Sequence, residues 1–194
     1  MIVLASKSSS RRAMLNAAGV AYEAVTADLD ERALEAELDG QPSAEIALAL
    51  ARAKAAALSG QYPGRIILGS DSLVSVEGKR FDKPADRAAA AQHLRYFSGK
   101  TMDLHSAAAL VRDGEILWHH ADRAQLKVRA LSDEFIELYL AAEWPEVSHC
   151  VGVFRIEARG VQLFESIVGD QFTVLGMPLL PLLAALRDLG ELPS

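Results

Sequence analysis

Hydrophobic positions along the chain recur with two different periods. The chain opens on a four-residue apolar run, Ile2-Val3-Leu4-Ala5, which has the length and bounding residues of a buried strand. A polar stretch, Ser6-Lys7-Ser8-Ser9-Ser10-Arg11-Arg12, follows, and then Met14, Leu15 and Ala18 recur at helical spacing until Gly19. This predicts strand, loop and helix start. Residues 22–26 alternate like a strand, Asp28-Leu29-Asp30-Glu31 reads as an acidic loop, and residues 32–40 are polar without a clear period. Pro42-Ser43 opens an alanine-rich helix over residues 44–58, with Ser43 as N-cap and Gly60 past its end. Residues 65–69 form a second apolar run. Ser70-Asp71-Ser72 falls at its carboxyl end before residues 73–76 continue it, and Glu77-Gly78 turns the chain.

The second half reads similarly. A helix over residues 85–97 is closed by Gly99, and two strands, 102–111 and 115–128, meet at Arg112-Asp113-Gly114, an Asp-Gly hairpin signal. Ser132-Asp133-Glu134 caps a helix to about residue 142, which Trp144-Pro145 stops. Residues 161–167 look like a strand, and residues 178–189 form a final apolar helix. With no internal repeat, low-complexity tract or linker, the mixed order predicts one α/β domain over residues 1–194, built on a twisted, partly antiparallel sheet.

Composition narrows the class. A hydrophobic fraction of 51% and a charged fraction of 24% are those of an ordinary globular protein. A net charge of −6 argues against a nucleic-acid surface, which needs a basic stripe, but leaves room for a local Arg/Lys site for one small anion. The single cysteine, Cys150, excludes an intramolecular disulfide framework and fits a reducing compartment. No stretch approaches the roughly 20 apolar residues of a membrane helix, so the expectation is a cytoplasmic protein without a membrane partner.

Three groups of residues carry candidate chemistry. In the opening loop, serine hydroxyls, backbone N–H groups and two arginines gather at a helix N-terminus, where the macrodipole favours an anion; capping serines and solvated arginines would look the same. The carboxylates Glu31 and Asp71 and the lysines Lys54 and Lys83 complete the set that phosphoanhydride hydrolysis uses: cations for phosphate charge, carboxylates for a divalent metal, and a base to orient water. Asp71 follows a strand, where ligand crevices of open α/β sheets form, and the position equally suits an aspartate turning the chain after Gly69. Lys83 is held extended by Pro84, which aims its ammonium, although loop lysines are commonly solvated. His119-His120 and His149-Cys150 are adjacent pairs whose side chains diverge on extended backbone, so neither forms a local metal chelate or nucleophile pair. P-loop and dinucleotide fingerprints are absent.

The segments from Leu4 to Leu15, Leu29-Asp30-Glu31, Ala53-Lys54-Ala55, Leu68-Gly69-Ser70-Asp71-Ser72 and Lys83-Pro84 resemble the successive motifs of the Maf family. The match continues through Ser98-Gly99-Lys100-Thr101, His149-Cys150-Val151-Gly152 and Val174 to Leu179, and its ordered set is more specific than any one motif. The resemblance implies a nucleoside triphosphate pyrophosphatase that cleaves between the α and β phosphates with a divalent metal, Mg²⁺ or Mn²⁺. It further implies a fold related to inosine triphosphate pyrophosphatases, an elongated twisted mixed sheet flanked by helices with a cleft between two lobes, commonly as a homodimer. Carried onto this chain, Asp71 is the proton acceptor, Glu31 and Asp71 hold the metal, and Ser8, Arg12, Lys54 and Lys83 contact phosphates.

The resemblance is closest to the branch acting on 7-methyl-GTP, through the length of the opening loop, the His149-Cys150-Val151-Gly152 segment and Glu157. A carboxylate at Glu157 can accept from the guanine N1–H and N2–H₂ edge, whereas the dTTP/UTP branch has Gln there; a surface carboxylate on a strand is the plainer alternative. The chain departs from the branch at two further specificity positions, with Ser10 in place of Trp and Ser72 in place of Gln, and Ser9 replaces a proline. Without the Trp, a cation–π contact worth roughly 0.5–2 kcal/mol is missing. Two alternatives stand: a dTTP/UTP pyrophosphatase of the same family, and a nucleotide-binding regulator of septum formation with vestigial activity. Retention of Glu31, Lys54, Asp71 and Lys83 disfavours the second.

Overall fold

The computed structural model describes residues 1–193. In chain order the elements are β1 (Ile2–Ala5), α1 (Ser9–Ala17), β2 (Tyr22–Val25), α2 (Glu31–Glu37), α3 (Ser43–Ser59), β3 (Ile67–Val76), β4 (Lys79–Phe81) and α4 (Arg87–Phe97). They continue with β5 (Thr101–Arg112), β6 (Glu115–Val128), α5 (Asp133–Glu143), β7 (Phe164–Val168), α6 (Gln171–Val174) and α7 (Leu179–Asp188). Short 3₁₀ turns cover Glu146–His149 and Arg159–Leu163. Among the described residues the strands form a seven-stranded mixed sheet in the order β2-β1-β3-β5-β6-β7, with β4 on β3. β1 runs parallel to β2 and β3, whereas β4 pairs antiparallel with β3 and β7 antiparallel with β6. The mixed α/β architecture expected from the sequence is therefore observed. No described helix is long and apolar enough to cross a membrane.

The chain divides into two compact units. The first comprises Met1–Ser72, His105–Arg123 and the chain from Asp170 onward; the second comprises Leu73–Leu104 and Ala124–Gly169.

In the first unit, strand parity sorts the core into two layers. Ile2, Leu4, Ile66 and Leu68 pack with Met14 and Leu15 of α1 and with Leu179, Leu182 and Leu186 of α7. Their odd-numbered neighbours Val3, Ala5 and Ile67 pack with Ala55 and Leu58 of α3. Because successive strand side chains point to opposite faces, a run buried on both sides shows no polar alternation, which is why residues 2–5 and 66–68 read as unbroken apolar stretches. Full burial of each such Leu or Ile contributes about 1.5–3 kcal/mol. In the second unit, Phe81 meets Phe97 edge to face at 4.7 Å between centroids, and α4 packs on α5.

Four local expectations change. β3 is one continuous ten-residue strand, so Asp71 sits at its middle rather than at a carboxyl end. Glu31 begins a helix, α2, that Asp30 caps by accepting from Ala33 N–H at 3.0 Å; the acidic loop was in fact a capping sequence. Ser43 is the first helical residue, and Pro42 occupies the cap position with no side-chain bond. The strand expected over residues 161–167 begins only at Phe164, after a 3₁₀ turn. The Asp113-Gly114 hairpin is as expected: both residues have positive φ, +51° and +83°, the combination a tight two-residue turn requires.

Candidate active site

The parity of β3 continues beyond its apolar half into polar residues. Gly69 and Asp71 face α3, on the side of Ile67, while Ser70 and Ser72 face the segment around Gly176. A Cβ on Gly69 would stand 1.9 Å from the Ala51 carbonyl oxygen and 2.8 Å from Ala55 N, so only glycine allows α3 to lie this close to the strand. That approach brings Lys54, on α3, within 2.6 Å of Asp71 Oδ1. Lys54 Nζ also lies 2.8 Å from Glu31 Oε2 at the start of α2. The Lys54 and Asp71 side chains are only 12% and 11% exposed, whereas that of Glu31 is 48% exposed. Two carboxylates from separate elements thus converge on one point of positive charge, most of it shielded from solvent.

On the opposite face, Arg11 is the organising cation. Its Nε donates to Gly176 O at 2.9 Å, Nη2 to Ser72 Oγ at 3.0 Å and Nη1 to Ser6 Oγ at 3.4 Å. Burial lowers the pKa of its guanidinium, and the negative charges of Asp71 and Glu31 oppose that shift. Ser72 also donates to Gly176 O at 2.9 Å and bonds Ser106 Oγ at 3.0 Å, and Ser106 donates to Thr173 O at 2.8 Å. Ser10 Oγ donates to Leu175 O at 2.8 Å. Ser8 caps α1 through Arg11 N–H at 3.4 Å, and the exposed Arg12 reaches Ser6 O at 3.4 Å.

The remaining sequence candidates lie in the second unit. Lys83 lines a cavity of about 510 Å³ together with Lys79, Arg80, Phe81, His93 and Tyr96. Glu157 is exposed on the segment after the Cys150 turn. Burial first, and then the charge of Glu157, push the Cys150 thiol up to about 11, against the opposing pull of Arg155 and Lys83. A thiol raised that far holds very little thiolate at pH 8. The expected outcome is correspondingly slow alkylation of Cys150 in the folded protein, with fast reaction after denaturation, followed by mass spectrometry. His119 points to Arg52, at 2.9 Å from Nη2, while His120 stacks on Trp118. Among the described residues no three or more His, Cys, Asp or Glu side chains gather as a metal cage.

A family model described as Maf-like protein matches residues 1–189. The chain belongs to the Maf family. A 7-methyl-GTP pyrophosphatase of Mesorhizobium japonicum is 49% identical over 193 residues, covering 98% of this chain and 97% of its own. A nucleoside triphosphate pyrophosphatase of Nitrobacter hamburgensis is 45% identical over 191 residues, covering 98% and 95%. Among solved structures, a nucleoside-triphosphatase / dITP/XTP pyrophosphatase from Mycobacterium abscessus aligns with 66% of this chain and 72% of its own at 21% identity and a TM-score of 0.39.

Of the Maf motif residues, the structure brings Glu31, Lys54 and Asp71 into direct contact. It ties the hydroxyls of Ser8, Ser10 and Ser72 to protein partners. The opening loop supplies both arginines of the candidate anion group; the resemblance singles out Arg12, whereas the bonds to the Gly176 segment and to Ser6 come from Arg11. The signal was present in the helix period: Arg11 stands three and four residues before Met14 and Leu15, in line with the buried stripe of α1, and Arg12 is rotated about 100° away from it.

Proposed function

We propose that this Maf protein is a nucleoside triphosphate pyrophosphatase, a single functional domain over residues 1–194 that hydrolyses the α–β phosphoanhydride to a monophosphate and pyrophosphate. The observation that carries the reading is the Glu31–Lys54–Asp71 cluster, and the names of relatives at 45–49% identity over nearly the whole chain agree with it. The donor set fits a divalent cation of the Mg²⁺ or Mn²⁺ kind. Glu31 and Asp71 offer hard carboxylate oxygens around one position that already holds a positive charge, and Mg²⁺ is usually bound through one or two carboxylates plus substrate phosphates rather than an all-protein cage. Glu31 and Asp71 are assigned to hold it; bound there, the ion would neutralise phosphate charge.

The chain's own groups have separate tasks in this reading. Asp71 accepts the proton of the attacking water on one of its carboxylate oxygens; the new O–P bond forms and the bridging P–O bond to pyrophosphate breaks. Lys54 turns from the carboxylates to the phosphate oxygens, and Ser8, Arg12 and Lys83 are assigned further phosphate contacts. Ser10, Ser72 and Glu157 are assigned to the base, with 7-methyl-guanine as the favoured one, because a carboxylate at Glu157 both accepts from the guanine edge and favours a cationic ring.

Pyrophosphate release from 7-methyl-GTP, GTP, dTTP, UTP and CTP with Mg²⁺ or Mn²⁺ tests both levels. The expected result is turnover with preference for 7-methyl-GTP, and a loss of about tenfold in that preference for Glu157→Gln. Strong preference for dTTP or UTP would overturn the base assignment. Saturable binding without turnover would overturn the enzymatic reading in favour of a regulator.

A further inference from the structure

One backbone position in the second unit is strained. Val153 has φ of +56° and is fully buried. A β-branched residue in the left-handed region costs about 1–3 kcal/mol and persists only where its surroundings over-determine it. Here they do. Tyr139 Oη, on α5, donates to Val153 O at 2.9 Å in a buried bond, and Val153 N–H donates to Cys150 O at 3.1 Å. Glu143, one turn further along α5 and 4% exposed, accepts from both Nε and Nη2 of Arg155 at 3.1 and 3.0 Å. The glycines on either side leave no slack. A Cβ on Gly152 would come within 2.6 Å of the Phe154 ring, and one on Gly160 within 2.4 Å of Arg155 O.

The segment from Cys150 to Gly160 is therefore fastened to α5 at two points and closed on itself, and Glu157 is its exposed carboxylate. Stability alone is a poor reason for this construction. An ion pair buried at its Glu143 end and a third exposed at Arg155 gains little over apolar residues of the same volume once desolvation of the carboxylate is counted, and the strained turn subtracts from stability. Both features make sense if the segment must hold one shape. We infer that Tyr139, through Val153, and the Glu143–Arg155 pair are positioning residues that present Glu157 in a single orientation to the nucleobase. The inference rests on the base-recognition reading of Glu157.

Steady-state kinetics of Tyr139→Phe, Glu157→Gln and the double variant test it. Tyr139→Phe is expected to raise KM for 7-methyl-GTP about fivefold with kcat within about twofold, while leaving KM for UTP unchanged, a coupling of the size found within one hydrogen-bonded network. The double variant should be no worse on 7-methyl-GTP than Glu157→Gln alone. Arg155→Lys, which keeps a cation beside Glu143 but loses the two-point bond, should follow the same pattern and provides the test if Tyr139→Phe does not fold. Equal losses on all nucleotides, or losses that add to those of Glu157→Gln, would overturn the positioning role. If Glu157→Gln changes the preference and neither Tyr139→Phe nor Arg155→Lys does, only this inference falls; if Glu157→Gln leaves the preference intact, the base assignment falls with it.

Discussion

Asp71→Asn is expected to lower kcat for pyrophosphate release by about a thousandfold, because it removes at once a general base and a carboxylate donor for the cation. The shape is conserved, so the substitution isolates charge and basicity from packing. Stability should fall less than activity. Removing one member of a fully buried ion pair costs about 3–5 kcal/mol through the charge left behind, but Lys54 retains Glu31 at 2.8 Å, and Glu31 is half exposed to water. A loss of about 1–2 kcal/mol is therefore expected, which for a chain of 194 residues lowers the melting temperature by only a few degrees. Circular dichroism melts and a pyrophosphate assay on the same preparation separate the two effects. Wild-type turnover by the variant would remove Asp71 from the chemistry, and collapse of the fold would mean that its charge is chiefly structural.

The elements were legible where local rules and tertiary packing agree. The unbroken apolar runs at residues 2–5 and 66–68 gave buried strands, and Asp113-Gly114 gave its hairpin, because each signal is decided within a few residues. The start of α2 is hidden in the sequence because Asp28-Leu29-Asp30-Glu31 has the composition of a loop, and the same aspartate that suits a turn also caps a helix. Polar residues usually terminate a buried run, so the sequence alone puts Asp71 at a strand end. Here the strand continues through Ser70, Asp71 and Ser72, since each has a partner on its own face: Gly176 O for the serines and Lys54 for the aspartate.

The candidate site was half legible. Glu31, Lys54 and Asp71 were recoverable from residue type and from the family resemblance, and the structure joins them. Gly176 was not, because its bond with Arg11 spans 165 residues and nothing local marks it, whereas Arg11 is legible only through its place in line with the buried stripe of α1. What connects the two halves is strand parity. A single strand, β3, carries the ion-pair face towards α3 and the Arg11 face towards α1, so the negative charge of Asp71 and the cation that opposes it electrostatically lie on two sides of one backbone. A displacement of β3 relative to either helix would therefore disturb both.

Gly69→Ala should produce such a displacement, and its expected effect is the largest on stability. The new methyl would stand 1.9 Å from Ala51 O and 3.0 Å from Ala51 C, both backbone atoms of a seventeen-residue helix, so no rotamer change can relieve the clash. Overpacking against movable side chains costs about 1–3 kcal/mol; against a fixed helix backbone the cost should reach or exceed about 3 kcal/mol, a fall in melting temperature of roughly 6–12 °C. Activity should suffer beyond the loss of folded protein. α3 must retreat by an ångström or more, and it carries Lys54 away from Asp71, whose present separation is 2.6 Å. Misplacements of that size commonly cost about a hundredfold in rate, so kcat measured well below the melting transition should still be down by that order. Gly60→Ala is the matched control: Gly60 ends α3 at φ −68°, with no atom within 4 Å of its added methyl, and both stability and turnover should stay close to wild type. A Gly69→Ala variant that melts and turns over like the wild type would mean that α3 does not need its present contact with β3, and the claim that this contact sets the Lys54–Asp71 geometry would be withdrawn.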